Sequence, residues 1–308
     1  MTFPPIDHPT ALDREPTTIG SRTFAWGERT FVMGIVNVTP DSFSGDGLIG
    51  GRAGGGPFDP VSAAVDQARR MVEEGADLLD VGGESTRPGH APVDAAEELG
   101  RVVPVIAEIH AALPETPISI DTTKVAVAEA ALAAGAAMLN DIWGTSRDPG
   151  SADLAARAGV PLIVMHNREV AEYRDVVAEV VDDLSRALER AEAAGVPPAS
   201  LIVDPGIGFG KTADHNVTVL RHLDALRSLG RPILLGISRK STIGRILDLP
   251  ADQRLEGTLA TTALGIAAGV DIVRVHDVRA NVRAARVSDA IVRGRWRAEP
   301  ENPQGGPT

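Results

Sequence analysis

The chain contains no cysteine. This absence excludes structural disulfides, thiolate metal sites and a cysteine nucleophile, and it favours an intracellular setting, where disulfides are rare. The sequence also lacks any apolar run of the roughly 18 residues that a membrane-spanning helix needs. Its N-terminus shows no basic segment followed by an apolar one, as a secretory signal would. We therefore expect a cytoplasmic protein that does not associate with membranes.

Acidic residues outnumber basic ones, and among the basic residues lysine is much rarer than arginine. Lys and Arg total 30 against 42 Asp and Glu, which gives a formal net charge of −12. Nucleic-acid binders need clustered positive surface, so we expect no nucleic-acid partner, and any anionic ligand must be held by a local cationic pocket. Three of the 30 basic residues are lysines, and each follows a short apolar run: Lys124, Lys211 and Lys240. This position suits a functional site, although lysines that only cap or pair locally fit it equally well.

The two ends of the chain differ in composition from its middle. Residues 1–18 contain four prolines and no hydrophobic period, and residues 296–308 are polar and rich in Pro and Gly. Both patterns predict disordered tails around one domain at residues 19–295. Within that domain, residues 21–31 place β-forming side chains on both sides of Gly27, which predicts a short N-terminal β-hairpin that caps one end of the main fold.

One unit repeats from Phe31 to the end of the domain: a short apolar run, a polar or glycine-rich loop, and a helical stretch rich in Ala, Glu and Arg. The eight apolar runs span residues 31–38, 77–82, 118–121, 138–142, 161–166, 201–204, 232–238 and 271–276. Continuous apolar runs predict parallel strands buried on both faces. Eight strand–helix pairs close most economically into a (β/α)8 TIM barrel, and an open, doubly wound sheet is the alternative.

Polar side chains at the strand ends favour the barrel, because only a closed ring brings all of them to one mouth. They are Asn37, Glu84, Asp121, Asn140, His166, Asp204, Lys240, Arg274 and His276. Among them, Asp121, Asn140 and Asp204 suit a flat, nitrogen-rich heterocycle, since a carboxylate accepts two parallel N–H bonds from an aminopyrimidine edge. A metal site is the competing interpretation of the same three residues.

A second group of strand-end residues is cationic. Arg274 and His276 lie two apart on the eighth strand and therefore point to one face, next to Lys240 on the seventh. The ends of these two strands form a phosphate site in many barrels, and a helix that begins near Ser241 adds backbone N–H donors. The alternative is that Arg274 only pairs with an aspartate close to it in the sequence.

Two loops are rich in glycine. Residues 204–212 contain Gly-Lys-Thr, but a phosphate-binding P-loop needs glycine at position 205, where the chain has Pro205. The glycines instead let the loop approach a ligand closely, or they only form a tight turn. The second loop, residues 37–57, has seven glycines between positions 45 and 56. It predicts a mobile lid with Phe43 as its apolar tip, or a flexible insertion without a role. His166 and Asp80 are predicted to be structural, Asp80 as a buried, paired carboxylate.

Several motifs, taken in order along the chain, resemble the dihydropteroate synthase family. They are MGIVNVTPDSFS (33–44), GGESTRPG (82–89), SIDT (119–122), ND (140–141), DPGIGFGK (204–211), SRK (238–240) and RVHD (274–277). The resemblance implies a (β/α)8 barrel and a transferase that joins 6-hydroxymethyl-7,8-dihydropterin diphosphate to p-aminobenzoate with Mg²⁺, releasing pyrophosphate. It also implies a homodimer.

The resemblance further assigns residues to each ligand. The residues implied to bind the pterin are Asp121, Asn140, Asp204, Lys240, Met165 and Ile142. Those implied around p-aminobenzoate are Phe43, Pro88, Phe209, Lys240 and Ser241. Those implied to bind the diphosphate are Thr86, Arg87, Arg274 and His276, and Asn37 is implied to bind the metal. The residues predicted to act in catalysis are Lys240, Arg274, His276 and Asp121.

The chemistry of this reaction agrees with these residue types. The pterin ring delocalises the positive charge that develops as the bond to the diphosphate breaks, so the protein mainly has to stabilise the departing anion, which cationic groups and Mg²⁺ do. The aryl amine is neutral at pH 7 and needs no general base. We therefore expect a dissociative substitution. A pterin-binding methyltransferase domain and a catalytically silent relative are the alternatives, the second suggested by unusual residues in loop 45–57 and at Trp143.

Overall fold

The computed structural model describes residues 14–39, 59–84, 93–147 and 150–294. Its strands are β1 (Thr17–Ile19), β2 (Arg22–Phe24), β3 (Phe31–Asn37), β4 (Leu78–Gly82), β5 (Ile118–Asp121), β6 (Met138–Asp141), β7 (Leu162–Met165), β8 (Leu201–Asp204), β9 (Leu234–Leu235) and β10 (Ile272–Val275). The first two form a separate antiparallel pair. The other eight form one sheet in the order β8-β7-β6-β5-β4-β3-β10-β9, in which every neighbouring pair is parallel.

The sheet closes into a barrel. Its two outer strands in that order, β8 and β9, meet at a parallel bridge between Val203 and Ile233. At the same seam, the backbone N–H of Val203 donates to Pro232 O at 2.9 Å. The predicted (β/α)8 barrel is therefore confirmed, and the open sheet is excluded.

Helices alternate with the strands of the barrel. They are α1 (Pro60–Glu73), α2 (Ala95–Ala112), α3 (Val125–Ala133), α4 (Gly150–Ala158), α5 (Val176–Ala193), α6 (Ala213–Arg221), α7 (Ser241–Leu247), α8 (Leu255–Ala267) and α9 (Val278–Arg293). Three of these helices begin at an aspartate N-cap. Asp59, Asp94 and Asp175 each accept a hydrogen bond from a backbone N–H of the first turn. The helical segment between β8 and β9 divides at His222 into α6 and a 3₁₀ stretch, Leu223–Leu229.

The alternation of side chains along each strand divides the core into two parts. Residues such as Val32 and Leu79 pack beneath the helices. The strand residues that point into the barrel near its N-terminal end form a separate apolar cluster: Met33, Leu78, Met138, Ile163, Ile202, Leu234 and Ile272. Because apolar side chains fill this end, the polar side chains that point inward are confined to the C-terminal half of the barrel.

The N-terminal hairpin lies earlier in the chain than predicted. Strands β1 and β2 pair around Gly20, whose φ of +58° suits a residue without a Cβ. The predicted position at residues 21–31 is wrong, because Phe31 already begins β3. Phe24 and Trp26 pack into the apolar cluster at the N-terminal end of the barrel. The hairpin therefore caps the barrel, as predicted.

The predicted tail at residues 1–18 is wrong for residues 14–18. Thr17 belongs to β1. Arg14 donates to both carboxylate oxygens of Asp271, at 2.7 and 2.8 Å, and to Arg231 O at 3.0 Å. These bonds fasten the segment to the start of β10, because an arginine fork matches a carboxylate in geometry as well as in charge.

The remaining parts of the predicted tails, residues 1–13 and 296–308, lie outside the described residues. The other domain limits stay predictions. Among the residues that the structure describes, no helix is both long and apolar enough to cross a membrane. The cytoplasmic location stays a prediction as well.

Candidate active site

Arg274 lies inside the barrel between two buried aspartates. Its Nε donates to Asp80 Oδ2 at 2.6 Å, and its Nη2 donates to Asp121 Oδ2 at 2.7 Å. Burial disfavours the charged guanidinium, but the attraction of Asp80 and Asp121 outweighs this effect and raises the pKa of Arg274. The two partners lie 194 and 153 residues away in the sequence, so Arg274 does not simply pair with a neighbouring aspartate.

Asp80 also fixes the amide of Asn140. Asn140 Nδ2 donates to Asp80 Oδ2 at 3.1 Å, and both side chains are buried. The parallel register places Asn140 beside Asp121 on the next strand. The other carboxylate oxygen, Asp80 Oδ1, is buried and has no hydrogen-bond partner among the described residues. Asp80 is thus a buried, paired carboxylate, as predicted, and one of its oxygens joins two residues of the predicted site.

Three predicted site residues converge on Gly236, which follows β9. A Cβ at this position would lie 3.7 Å from Asp204 Oδ2, 3.8 Å from Lys240 Nζ and 3.9 Å from Arg274 Cδ. An acceptor of the predicted pterin set, Asp204, and two cations predicted to act in catalysis, Lys240 and Arg274, therefore meet over the backbone at Gly236.

Burial controls the protonation of this cluster. It raises the pKa of Asp121 to about 7, although Arg274 opposes the shift. It also raises the pKa of Asp204, opposed by Lys240. It lowers the pKa of Lys240 to about 8, opposed by Asp204. Burial therefore moves the pKa values of both Asp121 and Lys240 towards neutral pH.

The loop that follows β8, residues 205–211, lies against Lys240. Lys240 Nζ donates to Ile207 O and stands 4.6 Å from the centre of the Phe209 ring, a cation–π distance. A Cβ on Gly208 would lie 3.3 Å from Lys240 Cδ. The loop therefore contacts Lys240 along its aliphatic stem and at its ammonium group.

The glycines of this loop let it pack against the backbone beyond β7. Gly206 and Gly210 have φ values of +65° and +53°. A Cβ would stand 1.8 Å from His166 O at the first position and 2.3 Å from Arg168 O at the second. A distance under 3 Å leaves no room for a side chain. The glycines therefore let the loop pack closely on protein backbone, and their predicted close approach to a ligand stays a prediction.

Lys211, the last residue of the same loop, contacts His166 and two carbonyls of the loop. Lys211 Nζ is 2.7 Å from His166 Nδ1 and donates to Gly206 O and Phe209 O, both at 3.1 Å. His166 Nε2 lies 3.2 Å from Asp183 Oδ2. Burial and the charge of Lys211 lower the pKa of His166 to about 3, so the ring is neutral. Burial lowers the pKa of Lys211 to about 7. His166 therefore has a structural role, as predicted, and its ring is hydrogen-bonded to the side chains of Lys211 and Asp183.

A cavity of about 230 Å³ opens beside Asp121 at the mouth of the barrel. It is lined by Glu84, Glu98, Asp121, Thr122, Thr123, Ile142, Trp143, Arg147, Asn167 and Phe209. Arg147 lies over the Trp143 ring, with its guanidinium carbon 4.6 Å from the ring centre. Lys124 pairs with both Glu84 and Glu98 along one wall. The mouth thus offers a pocket of mixed polarity next to the buried cluster.

Comparisons with known proteins agree with this geometry. A family model described as pterin binding enzyme matches residues 33–276. The chain is 49% identical over 276 residues to the dihydropteroate synthase of Clostridium beijerinckii, covering 89% of this chain and 99% of that one. It is 45% identical over 287 residues to that of Bacillus subtilis, covering 93% and 95%. The chain belongs to the dihydropteroate synthase family. It is therefore a transferase of folate synthesis.

Solved dihydropteroate synthases share the fold. The structure from Xanthomonas albilineans with 4-aminobenzoic acid has a TM-score of 0.82 at 44% identity and covers 90% of this chain and 97% of that one. The structure from Clostridium difficile in the presence of pteroic acid has a TM-score of 0.81 at 48% identity and covers 87% and 98%. This chain therefore has the same barrel fold as these solved members of the family.

The other predicted residues of the dihydropteroate synthase site border the same mouth. Met165 ends β7, Asn37 ends β3, and Ser241 is the first residue of α7. His276 directly follows β10, with its Nδ1 3.0 Å from Ser238 Oγ. Four predicted residues and one segment lie outside the described residues, and their roles stay predictions: Phe43, Thr86, Arg87, Pro88 and residues 45–57.

The sequence did not predict two features of this dihydropteroate synthase. The link that Asp80 makes between Arg274 and Asn140 had no signal, because the three residues lie on strands far apart in the chain. The sequence does single out Lys211, because it is one of the three lysines that follow predicted strands, but it does not indicate what Lys211 binds. Its bonds to the loop of residues 205–211 give it a structural role beside Lys240.

Proposed function

We propose that this enzyme condenses 6-hydroxymethyl-7,8-dihydropterin diphosphate with p-aminobenzoate to give 7,8-dihydropteroate and pyrophosphate. The observation that carries the proposal is the meeting of Asp204, Lys240 and Arg274 over Gly236, with Arg274 also bonded to Asp121. Hydrogen-bond acceptors for a heterocycle and cations for a diphosphate therefore share one space. The solved relatives were obtained with 4-aminobenzoic acid and with pteroic acid.

The pterin is held by the inward carboxylates and the amide. Arg274 uses Asp121 Oδ2, which leaves Asp121 Oδ1 to accept an N–H from the ring. Asp204 Oδ1 accepts from Gly206 N at 2.7 Å, and Oδ2 points to the space over Gly236. Because Asp80 accepts from one amide hydrogen of Asn140, the second hydrogen and the carbonyl oxygen are available to the ring. Met165 and Ile142 complete this pocket with apolar surface.

The bond between the pterin methylene carbon and the diphosphate oxygen breaks first. Both electrons leave with pyrophosphate, and the ring delocalises the cation that forms. Lys240, Arg274 and His276 stabilise the departing anion, because fixed positive charge in a partly buried site acts more strongly than in water. The amine nitrogen of p-aminobenzoate then bonds to the carbon and loses its proton to solvent.

The acceptor, p-aminobenzoate, binds between Phe209 and Lys240. The two side chains lie together with a 4.6 Å cation–π distance and form one wall. Ser241, at the start of α7, is exposed and available to the acceptor. Lys240 thus stands between the two substrates, where a compact ammonium group fits better than a forked guanidinium.

Mg²⁺ fits this site when the diphosphate supplies most of its ligands. Within the described residues there is no group of three His, Asp or Glu side chains suited to a metal ion. Asn37 offers one amide oxygen at the end of β3, and Mg²⁺ commonly binds through one or two protein oxygens together with phosphates and water. When bound there, the ion would supply positive charge against the departing pyrophosphate.

We also propose that the enzyme is a homodimer through α8 and α9. These helices pack against each other and expose Leu264, Val287 and Ile291, at 69, 61 and 72%. A two-fold dimer buries the same apolar surface on both copies. Light scattering should give twice the chain mass for the wild type, and a Leu264→Glu variant should be monomeric. A monomeric wild type at micromolar concentration contradicts this proposal.

The activity is tested by incubating the enzyme with pterin diphosphate, p-aminobenzoate and Mg²⁺, and by omitting each in turn. We expect 7,8-dihydropteroate by mass spectrometry and one pyrophosphate per product, with neither formed when a substrate is omitted. An absence of product with all three components present contradicts the proposed function.

A further inference from the structure

We infer that Lys211 is a positioning residue, which holds the loop of residues 205–211 where its Ile207 carbonyl and Phe209 ring support Lys240. The substrates named in this inference rest on the proposed function. The structural part, that Lys211 orders the loop, does not depend on it.

Lys240 contacts the loop at its middle residues. Lys240 Nζ donates to Ile207 O, its ammonium group faces the Phe209 ring, and its aliphatic stem lies beside Gly208. Its ammonium position therefore depends strongly on the loop.

Lys211 binds the loop at two other carbonyls. Its Nζ donates to Gly206 O and Phe209 O, the residues on either side of the Ile207–Gly208 pair that touches Lys240. Phe209 N also donates to Gly206 O at 3.1 Å, which closes a tight turn. A single ammonium group, with three donors, thus fastens both ends of the turn.

Other bonds hold the loop at different points. Gly208 N donates to Asn216 Oδ1 at 2.8 Å, and Tyr173 OH donates to Gly210 O at 2.7 Å. Neither bond involves the carbonyls of Gly206 and Phe209. Loss of Lys211 would therefore loosen the turn without releasing the whole loop.

The ammonium group of Lys211 also contacts His166, which directly follows β7. His166 Nε2 faces the Asp183 carboxylate, which can only accept a hydrogen bond. The ring therefore carries its hydrogen on Nε2, and its Nδ1 accepts from Lys211. Asp183 in turn accepts from Arg168 Nε at 2.8 Å. This chain of bonds gives Lys211 a fixed position, so the turn it binds is fixed as well.

Only a side chain with several donors can replace Lys211 at this position, because its Nζ serves three acceptors. A methionine would fill similar space and avoid the burial of a charge. It would leave His166 Nδ1 and Phe209 O without the donor that Lys211 supplies, and Gly206 O would keep only the Phe209 N–H. A displacement of about 1 Å near reacting groups costs up to roughly 100-fold in rate. We therefore expect Lys211 to affect catalysis strongly through Lys240 and Phe209 without contacting either substrate.

The test compares the wild type with Lys211→Met and Lys211→Arg. Arg186→Met serves as the control, because Arg186 pairs with Asp183 in the same network but is 58% exposed and does not contact the loop. Kinetics are measured with each substrate varied in turn. Hydrogen–deuterium exchange of the peptide that covers residues 205–211 is followed without substrates.

For Lys211→Met we expect faster exchange in that peptide, a 10- to 100-fold loss in kcat/KM for p-aminobenzoate and a much smaller change in KM for the pterin diphosphate. Lys211→Arg, which retains a cationic donor, should recover part of both losses. Arg186→Met should match the wild type.

Unchanged exchange at residues 205–211 in Lys211→Met overturns the inference, and so does unchanged kinetics with p-aminobenzoate. If exchange rises throughout the chain, Lys211→Arg decides: recovery of loop protection and of kcat/KM supports the inference, and failure to recover either contradicts it. If the wild type shows no turnover, the proposed function fails, and the exchange data alone still decide whether Lys211 orders the loop.

Discussion

Arg274 donates to Asp121 at 2.7 Å, so the residue predicted to bind diphosphate is bonded to a residue predicted to bind the pterin. The two predicted subsites are therefore one electrostatic unit. A change on one side of the pair alters the charge on the other, because the burial that raises the pKa of Asp121 is opposed first by Arg274. Substrate binding and departure of pyrophosphate should accordingly respond to the same mutations.

Asp80 should be essential to this unit although it contacts no substrate in the proposed arrangement. In Asp80→Asn, Arg274 loses one of its two charged partners, and the amide of Asn140 is held less firmly. We expect kcat/KM for the pterin diphosphate to fall on the order of 10- to 100-fold. The free energy of unfolding should fall by about 1 to 3 kcal/mol. Steady-state kinetics and chemical denaturation measure the two effects.

Ser119→Ala is the matched control for Asp80. Ser119 pairs with Asp80 in the strand register, and its hydroxyl is buried without a hydrogen-bond partner among the described residues. Its removal should leave kcat/KM unchanged and cost little stability. A large effect of Ser119→Ala with a small effect of Asp80→Asn would reverse the importance assigned to these side chains.

The pH dependence of kcat/KM for the pterin diphosphate should be a narrow bell. Asp121 must be ionised to accept N–H bonds, so activity should rise through its pKa of about 7. Lys240 must be protonated to stabilise pyrophosphate, so activity should fall through its pKa of about 8. Lys211 titrates near 7 as well, and an acidic limb that persists in Lys211→Met belongs to Asp121.

A Lys240→Arg variant checks the alkaline limb. Arginine keeps its proton throughout this range, so whatever activity the variant retains should no longer fall above about pH 8. A wild-type profile that is flat from about pH 6 to 9 would contradict both assignments.

Gly206→Ala should unfold or inactivate the enzyme far more than Gly230→Ala. Both glycines have φ of +65°. A Cβ on Gly206 would lie 1.8 Å from His166 O, whereas a Cβ on Gly230 would meet nothing within 4 Å. Gly230→Ala should therefore cost only the backbone strain of about 1 to 2 kcal/mol. Gly206→Ala should cost about 3 kcal/mol or more and abolish turnover. Equal losses in denaturation experiments would show that the loop adapts.

Arg14→Ala should destabilise the fold, because it leaves the buried carboxylate of Asp271 without its cation. We expect a loss of about 3 kcal/mol at pH 7. Burial already raises the pKa of Asp271, and Arg14 limits that rise. In the variant the folded pKa rises further above the unfolded one, so stability is lost as pH increases through the folded pKa. The penalty in denaturation should therefore shrink at acidic pH.

Arg22→Ala provides the comparison for Arg14. Arg22 is 40% exposed, and its Nη2 lies 3.8 Å from Asp77 Oδ1. Its Nη1 also donates to Asp77 O at 2.8 Å. Because Arg29 still pairs with the buried Asp77 carboxylate in the variant, the loss should be only about 1 kcal/mol. A loss for Arg14→Ala no greater than that for Arg22→Ala would show that residues 14–18 do not stabilise the barrel.

Much of the barrel was predictable because its strands are buried on both faces. The runs at Ile118–Asp121 and Leu201–Asp204 match β5 and β8 in both limits. The hairpin was misplaced because two glycines, Gly20 and Gly27, both form turns with positive φ, and the sequence does not show which turn connects paired strands. Residues 14–18 were missed because Arg14 is held by Asp271, a partner 257 residues away.

The site was predictable at the level of residue types at strand ends. The connection of Arg274 to Asp80 and Asp121 was not, since it depends on which inward side chains of a closed barrel reach one another. Lys211 shows the same limit: its scarcity singled it out, but its bonds to His166, Gly206 and Phe209 exist only once the loop is folded.

The central claim, that the pterin and the diphosphate bind side by side in the C-terminal half of this barrel, is tested most directly by a crystal structure with the pterin and pyrophosphate bound. We predict that the aminopyrimidine edge bonds to Asp121, Asn140 and Asp204, with pyrophosphate against Arg274 and His276. A pterin ring bound away from these acceptors, or pyrophosphate bound away from Arg274, would contradict the account.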